Sequence, residues 1–421
     1  MTQSAPDTCA AFVGIDWADA THDVCLQAAG SAKRACCHLE HTPEAIDAWV
    51  TTLRTRCNGQ PVAVCLELKK GPLVFALRTY DFLILCPLNP LTLARYREAF
   101  TPSRAKDDPT DAALQLALLL THRDTLRPRN PHSPTMRALT PLVEHRRRVV
   151  GDKVRLTHRL TSTLKNSVPH ALQWFQDKDP RLFCDVLSRW PTLKAAHLAR
   201  RSPLETFFRD HHVRSSDVID KRIHAIHAAS PLTLDAGVIA PHALLVQALV
   251  SQLRVTLQAI ETFDNAIAQR AQSHPDFPLC QALPGAGPVF ASRLLVAFGA
   301  QRDRSASAAA RQRYAGMAPV TERRGKKSWV HWRLQCPKCL RQTFVEWAAE
   351  STRHAFWAQV YSQQQRDKGK AHQAAVRALA CKRIRMLFRC WQERTPYHES
   401  ASLQALNSRG ASLIHNLAKE A

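Results

Sequence analysis

From Cys9 onward the chain sets apolar runs of strand length against turn-forming residues. Cys9-Ala-Ala-Phe-Val-Gly-Ile-Asp16 reads as a buried strand that delivers an aspartate at its end, His22 to Ala28 as a second strand, and Ala32 to Leu39 as a third. Helical spacing follows over Pro43 to Arg56, with Ile46, Trp49, Val50 and Leu53 on one face. Another apolar run, Pro61-Val-Ala-Val-Cys-Leu-Glu67, again ends in a carboxylate. Gly71 to Tyr80 reads as helix, Phe82 to Leu88 as strand, and about Pro109 to Thr121 as helix. Three strands followed by alternating helices and strands predict a mixed α/β sheet with its functional groups at strand ends.

Pro128-Arg-Asn-Pro-His-Ser-Pro134 breaks this pattern and reads as a linker. Beyond it, Thr140 and Pro141 suit the N-cap and first turn of a helix running to about Lys165, and Ala240 to Ser273 has a second long helical pattern. With a less regular stretch between them, the two predict a helical arm or coiled coil. The first carries Arg146, Arg147, Arg148, Lys153, Arg155 and Arg159. A charged helix face is ordinarily just solvated, but charge of almost one sign favours nucleic-acid contact along the arm.

Composition sharpens that reading. The 421 residues are 45% hydrophobic and 22% charged, enough for a large core in two or three domains, and the net charge of +23 implies a polyanionic partner. Residues 1 to 120 hold 11 Lys/Arg and 13 Asp/Glu, a net of −2; the other 47 basic and 22 acidic residues give residues 121 to 421 a net of +25. No stretch approaches the roughly 20 uninterrupted apolar residues of a bilayer span, so no membrane is expected. Thirteen dispersed cysteines predict reduced thiols and a cytoplasmic setting.

Several groups carry candidate chemistry. Asp16 and Glu67 each follow an apolar strand, and Asp108 and Asp111 stand three apart at the start of a helix, on one face. Four converging carboxylates would suit hard divalent cations for phosphodiester chemistry, whereas Asp108-Pro109-Thr110-Asp111 equally fits a helix cap. In Leu283-Pro-Gly-Ala-Gly-Pro288, Gly285 and Gly287 permit a tight turn before a helix N-terminus, either a phosphate-holding helix-hairpin-helix element or an ordinary turn. Lys326, Lys327, Trp329, His331, Trp332 and Arg333 interleave rings and cations as a nucleic-acid surface would, unless the tryptophans are core. Cys336 and Cys339 have the spacing of half a zinc site but no second pair, so no zinc is assigned. From Leu340 to Trp391 the pattern is of helices with a basic face.

These motifs resemble the DEDD transposases of insertion sequence family 110, in particular its 1111 subgroup. The likeness covers nearly the whole chain: Val13-Gly-Ile-Asp16, Leu66-Glu67, Lys106-Asp-Asp-Pro-Thr-Asp-Ala112, Leu283 to Pro288, Tyr314-Ala-Gly-Met-Ala-Pro-Val320 and the Arg/Cys-rich stretch through Leu340. It implies an α/β plus all-α protein: a RuvC-like domain of ribonuclease H fold (1–125), a linker and helical coiled-coil arm (126–275), a mainly helical C-terminal transposase domain with a helix-hairpin-helix-like motif (276–400) and a tail (401–421). It implies a tetrad of Asp16, Glu67, Asp108 and Asp111 holding Mg²⁺, with Asp107 the competing third acid. It further implies recombination of double-stranded DNA guided by an element-encoded RNA, by a dimer or tetramer in the bacterial cytoplasm beside the nucleoid. Both nucleic acids would account for the basic body.

Family members also use a serine nucleophile from the C-terminal domain, within a P-V-T-x-x-S-G pattern. Here the stretch reads Pro319-Val-Thr-Glu-Arg323-Arg324-Gly325-Lys326-Lys327-Ser328, so Arg324 occupies the serine position. Arginine binds phosphate but forms no ester. Three accounts stay open: Ser328, or less readily Thr321, substitutes; this copy is catalytically impaired; or the serine aligns elsewhere. Correspondingly the chain is expected to be a metal-dependent recombinase, with a RuvC-like nuclease lacking the serine and a non-catalytic DNA- or RNA-binding protein as the alternatives.

Overall fold

The computed structural model describes residues 9–421 apart from 68–69, 101–107, 124, 127, 129–132, 175–179, 304 and 408–421. Asp107, most of the expected linker and the end of the expected tail lie outside the described residues. The chain divides into two compact units, Met1–Pro131 and His132–Ala421.

The first unit contains β1 (Ala11–Asp16), β2 (Thr21–Ala28), β3 (Arg34–Glu40), α1 (Pro43–Arg56), β4 (Val62–Leu66), α2 (Pro72–Leu77), β5 (Leu83–Pro87), α3 (Pro90–Phe100) and α4 (Asp108–Thr121). The five strands form one mixed sheet in the order β3-β2-β1-β4-β5. β1 pairs antiparallel with β2 and parallel with β4, with Ile15 opposite Leu66. Alternation along each strand divides the core. Val13, Ile15, Val62, Val64 and Leu66 pack against Ile46, Val50 and Leu53 of α1 and Leu73, Val74 and Leu77 of α2. Phe12, Ala63 and Cys65 turn the other way, onto Leu93 of α3 and Ala112, Leu116 and Leu119 of α4. Gly14 lies on that second face, where α4 crosses so close that a Cβ would stand 2.2 Å from the Ala112 carbonyl oxygen. The expected mixed sheet with carboxylates at strand ends is present; α3 is an element the periodicity did not predict.

In the second unit, α5 (Pro134–Ser167) is followed by α6 (Ala171–Trp174), α7 (Pro180–Arg189), α8 (Leu193–Leu198), α9 (Arg201–Asp210) and α10 (Ser216–His227), then by α11 (Ala236–Gln272). After these come α12 (Phe277–Gln281), α13 (Pro288–Phe298), α14 (Ala308–Tyr314), β6 (Val320–Arg324), β7 (Lys327–His331), α15 (Lys338–Ser351), α16 (Phe356–Asp367), α17 (His372–Glu393) and α18 (Glu399–Asn407). α5 and α11 run antiparallel for about 50 Å at 1.5 Å per residue. Met136, Leu139 and Val143 share one core with Ile267 and Ala271, and Leu160 and Leu164 share another with Val246, Val250 and Leu253.

Two expected boundaries are corrected. The α5 helix starts not at Pro141 but at Pro134, capped by the Ser133 side chain accepting from Met136 N, and Pro141 sits inside it with Thr140 Oγ1 donating to Met136 O. An exposed proline at this point forfeits a single backbone donor. Likewise α11 begins four residues before Ala240, with Asp235 as its cap. No Asp, Glu, Lys or Arg falls between Ala236 and Leu253, where His242, Gln247, Ser251 and Gln252 interrupt the apolar residues. By length and composition this helix could cross a bilayer, even though no single uninterrupted apolar run marks it. One of its stripes instead packs on α5 and the short helices.

Candidate functional site

Strand parity assembles the acids. On β1, residues 12, 14 and 16 face α4, so the strand that buries Phe12 on α4 aims Asp16 at the N-terminal turn of that helix. Glu67 follows β4 directly, where the pairing with β1 ends at Ile15 opposite Leu66. Asp108 and Asp111 lie three residues apart on the first turn of α4. One ligand oxygen from each of Asp16, Asp108 and Asp111 lies within 4.8 Å of the others. Glu67, half-buried just past the end of β4, is not in that group. Of the expected tetrad, the structure brings Asp16, Asp108 and Asp111 together and leaves Glu67 outside the cluster.

The site is graded in exposure, from Asp108 at the surface through Asp16 at 9% to Asp111 at 1%. On the α4 face of the sheet two thiols stay neutral, since burial pushes Cys86 up to about 12 and Cys65 further still. Two polar partners are absent from the sequence-based expectations. Arg97 of α3 donates through Nε and Nη2 to the two carboxylate oxygens of Asp111 at 2.7 and 2.6 Å. Gln115, fully buried, donates from Nε2 to Asp16 Oδ1 at 3.4 Å, while its Oε1 has no hydrogen-bond partner among the described residues. A glutamine in the apolar run Ala112 to Leu120, one turn beyond Asp111, was the available signal for the second.

The donor set fits a divalent ion. Carboxylate oxygens are the ligands that hard cations take, and at Mg–O distances of about 2.1 Å two opposed ligands stand about 4.2 Å apart, so oxygens within 4.8 Å need only a small closure.

In the second unit, Val320–Arg324 and Lys327–His331 form an antiparallel ribbon, with Arg324 opposite Lys327 and Arg323 opposite Ser328. Gly325, at φ 58°, supplies the first residue of the two-residue turn, where a positive φ is required. The turn folds this segment back on itself: pairing places Ser328 about 5 Å from Arg323, in place of the roughly 16 Å that five extended residues span. Ribbon side chains alternate, so Thr321, Arg323, Ser328 and Val330 share one face, and Glu322, Arg324, Lys327 and Trp329 the other.

Arg323, Arg324, Lys326 and Lys327 are exposed and Arg333 is half-buried, with Nε donating to Ala318 O. Trp329 and Trp332 are not core, at 42% and 38% exposure, and the guanidiniums of Arg377 and Arg341 lie 3.8 and 5.3 Å from the Trp332 ring centre. On the arm, Arg148, Arg155 and Arg159 are exposed and Lys153 is half-buried. Arg155 pairs with Asp152, Arg146 pairs with Asp264 of α11 at 2.8 and 3.0 Å, and Arg147 donates to Gln342 at 2.7 Å. Gly285 holds φ 71° with its Cα against the Ser351 backbone, and Gly287 precedes α13 with open space around it.

Residues 13–169 match a family model for the DEDD transposases of IS110 type, and residues 278–363 match one described as the transposase IS116/IS110/IS902 family. The chain is 29% identical to the mini-circle putative transposase for IS117 from Streptomyces coelicolor, over 95% of this chain and 98% of that protein. It is 25% identical to the 42 kDa protein of insertion element IS900 from Mycobacterium paratuberculosis, over 74% of this chain and 71% of that one. A mixed sheet presenting clustered carboxylates, joined to a helical body matched by a second transposase model, defines a DEDD-type transposase, an enzyme class that recombines DNA and uses divalent metal. The chain belongs to the IS110 family of insertion-sequence transposases, and the two matched segments together span more than half of it.

Proposed function

We propose that this protein moves an insertion element by Mg²⁺-dependent DNA strand cleavage and exchange, with the element ends and target selected by an element-encoded RNA. The observation that carries the proposal is the convergence of Asp16, Asp108 and Asp111. Asp16, Asp108 and Asp111 would hold the ion, with Glu67 completing the set from just past the end of β4. When bound, the ion supplies activation of an attacking oxygen and stabilisation of a leaving one. The exposed ribbon, with Arg323, Arg324, Lys326, Lys327 and Trp329, would grip the phosphate backbone, and the cations of the arm would extend that track. Residues 1–125, 126–275 and 276–400 are read as the catalytic domain, the arm and the transposase domain. Two duplexes held together for exchange call for a dimer or tetramer, acting in the cytoplasm at the nucleoid.

Ser328 is the candidate nucleophile of an active copy. A second reading, a binding-competent but impaired copy, is favoured by ribbon parity, because Ser328 shares a face with Arg323 and not with Arg324. The test is to incubate the protein, its co-purified RNA, Mg²⁺ and labelled donor and target DNA, and to look for a denaturant-resistant protein–DNA adduct. An adduct lost in Ser328→Ala supports the active reading. One formed by Arg324→Ser alone supports the impaired copy. Strand cleavage without any adduct identifies a nuclease, and DNA binding with neither cleavage nor adduct in the unmodified protein, Asp16→Ala and Arg324→Ser alike overturns the enzymatic reading altogether.

A further inference from the structure

We infer that Arg97 and Gln115 are the positioning residues of the metal centre: Arg97 fixes the Asp111 carboxylate and Gln115 fixes that of Asp16, so that both are turned toward one ion. The inference rests on the metal reading of the acids and adds the two side chains that orient them.

Asp111 is 1% exposed and the Arg97 side chain 15%, so neither charge is well hydrated. A buried ion pair is a poor way to staple α3 to α4, since an apolar pair of similar volume does so without desolvating two charges. What a guanidinium does that an apolar pair cannot is set the plane of a carboxylate, through two parallel N–H donors. A carboxylate offers about four acceptor positions. Arg97 takes one on each oxygen, leaving one on each for a cation. Its charge also offsets part of the repulsion among three acids crowded within 4.8 Å.

Gln115 acts at the other end of the cluster. It lies one turn beyond Asp111 and two beyond Asp108, on the same face of α4, and is fully buried. Leucine would fill the position at less cost, as at Leu116 and Leu119 beside it. Its Nε2 donates to Asp16 Oδ1, which turns that carboxylate relative to the helix bearing the other two acids. Among the described residues its Oε1 is buried without a partner, and an orphaned buried acceptor in a native fold calls for a donor, such as ordered water brought into the site with an ion.

The test uses the full chain and Mn²⁺ as the probe, with binding read by calorimetry and by the loss of free-ion paramagnetic resonance signal, beside metal-free thermal unfolding. Wild type should bind, and Asp16→Asn and Asp108→Asn should not. Arg97→Lys keeps the charge but loses the fork, and Gln115→Met keeps the volume but loses the donor. Each should weaken Mn²⁺ binding about ten- to a hundredfold, the effect typical of residues that orient metal ligands, with little change in the metal-free midpoint. If both variants bind as wild type does, the positioning roles are wrong while the metal reading stands. If wild type fails to bind, or binds regardless of Asp16→Asn and Asp108→Asn, the metal reading itself falls. Should Arg97→Lys fail to fold, Gln115→Met carries the test.

Discussion

Replacing Gly14 by alanine should disable the metal centre without touching any acid. The added Cβ would lie 2.2 Å from the Ala112 carbonyl oxygen and 2.6 Å from the Leu116 nitrogen, both backbone atoms of α4 that no rotamer change can move. Carbon and oxygen settle at about 3.3 Å or more, so α4 must retreat from β1 by about 1 Å. Asp16 is two residues along β1 from the clash, and Asp111 and Gln115 flank Ala112 on α4, so the retreat opens the gap across which Asp16 meets Asp108 and Asp111. Metal sites tolerate distance errors of about 0.2 Å, several times less than that displacement. Overpacking of this kind costs about 1–3 kcal/mol, a loss of several degrees in the unfolding midpoint of the first unit. The assay pairs thermal unfolding with Mn²⁺ titration and strand cleavage. Gly14→Ala should stay folded, lose stability and lose metal binding by more than tenfold. A variant that binds Mn²⁺ as wild type does would refute the claim that the distance between α4 and β1 sets the site.

Exchanging Lys326 and Lys327 for alanine should lower the salt dependence of DNA binding by about one log–log unit for each phosphate that the lysines no longer neutralise; an unchanged slope would take the ribbon out of the interface. Arg302 donates through Nη1 and Nη2 to both oxygens of Asp276, each at 2.6 Å, and stacks on Trp391, so Arg302→Ala leaves a buried carboxylate unpaired. Urea unfolding should register a loss of about 3–5 kcal/mol in the second unit, and a loss under 1 kcal/mol would contradict it. Burial lowers the pKa of His22, helped by His41, and likewise that of His274, where Arg302 adds to the effect and Asp276 opposes it. Below about pH 6.5 the unfolded chain takes up protons at these sites that the fold refuses, so stability falls on acidification from pH 7.5 toward 6. A urea midpoint that is flat or rising over that window would show the sign to be wrong.

The sheet was legible because its strands alternate or run apolar between turn residues, and α1 because Thr42 and Pro43 mark its start. The same logic failed at α3, whose short Asn89-Pro90 opening and mixed polarity give no clean stripe, and with it went Arg97. It failed at α5 too, where a proline after a threonine looked like a helix start although Ser133-Pro134 offered the same signal about two turns earlier. The ribbon was invisible for a different reason: β7 and all but the first residue of β6 are exposed, and periodicity reports burial, so a strand pair with no core face leaves only Gly325 to betray its turn. For the site, the acids were readable at strand ends and at an i, i+3 spacing. Gln115 and Arg97 were not, because what distinguishes them is whom they touch.

Strand alternation also decides what Arg324 means. The rule that sends Asp16 to the α4 side of the sheet sends Ser328 to the opposite face of the ribbon from Arg324, even though pairing brings the two backbones close. A hydroxyl at 328 would approach a phosphate held on the Arg323 side, together with Thr321; a hydroxyl at 324 would approach one held beside Lys327 and Trp329. Family position and ribbon face therefore point to the same side only for residue 324. On this reasoning Arg324→Ser restores adduct formation while Ser328→Ala leaves it unaltered in that background, and mass mapping of the adduct peptide reads which oxygen carries the DNA. An adduct on Ser328 in the unmodified chain would show instead that the DNA meets the Arg323 face, and that the nucleophile has moved across the ribbon.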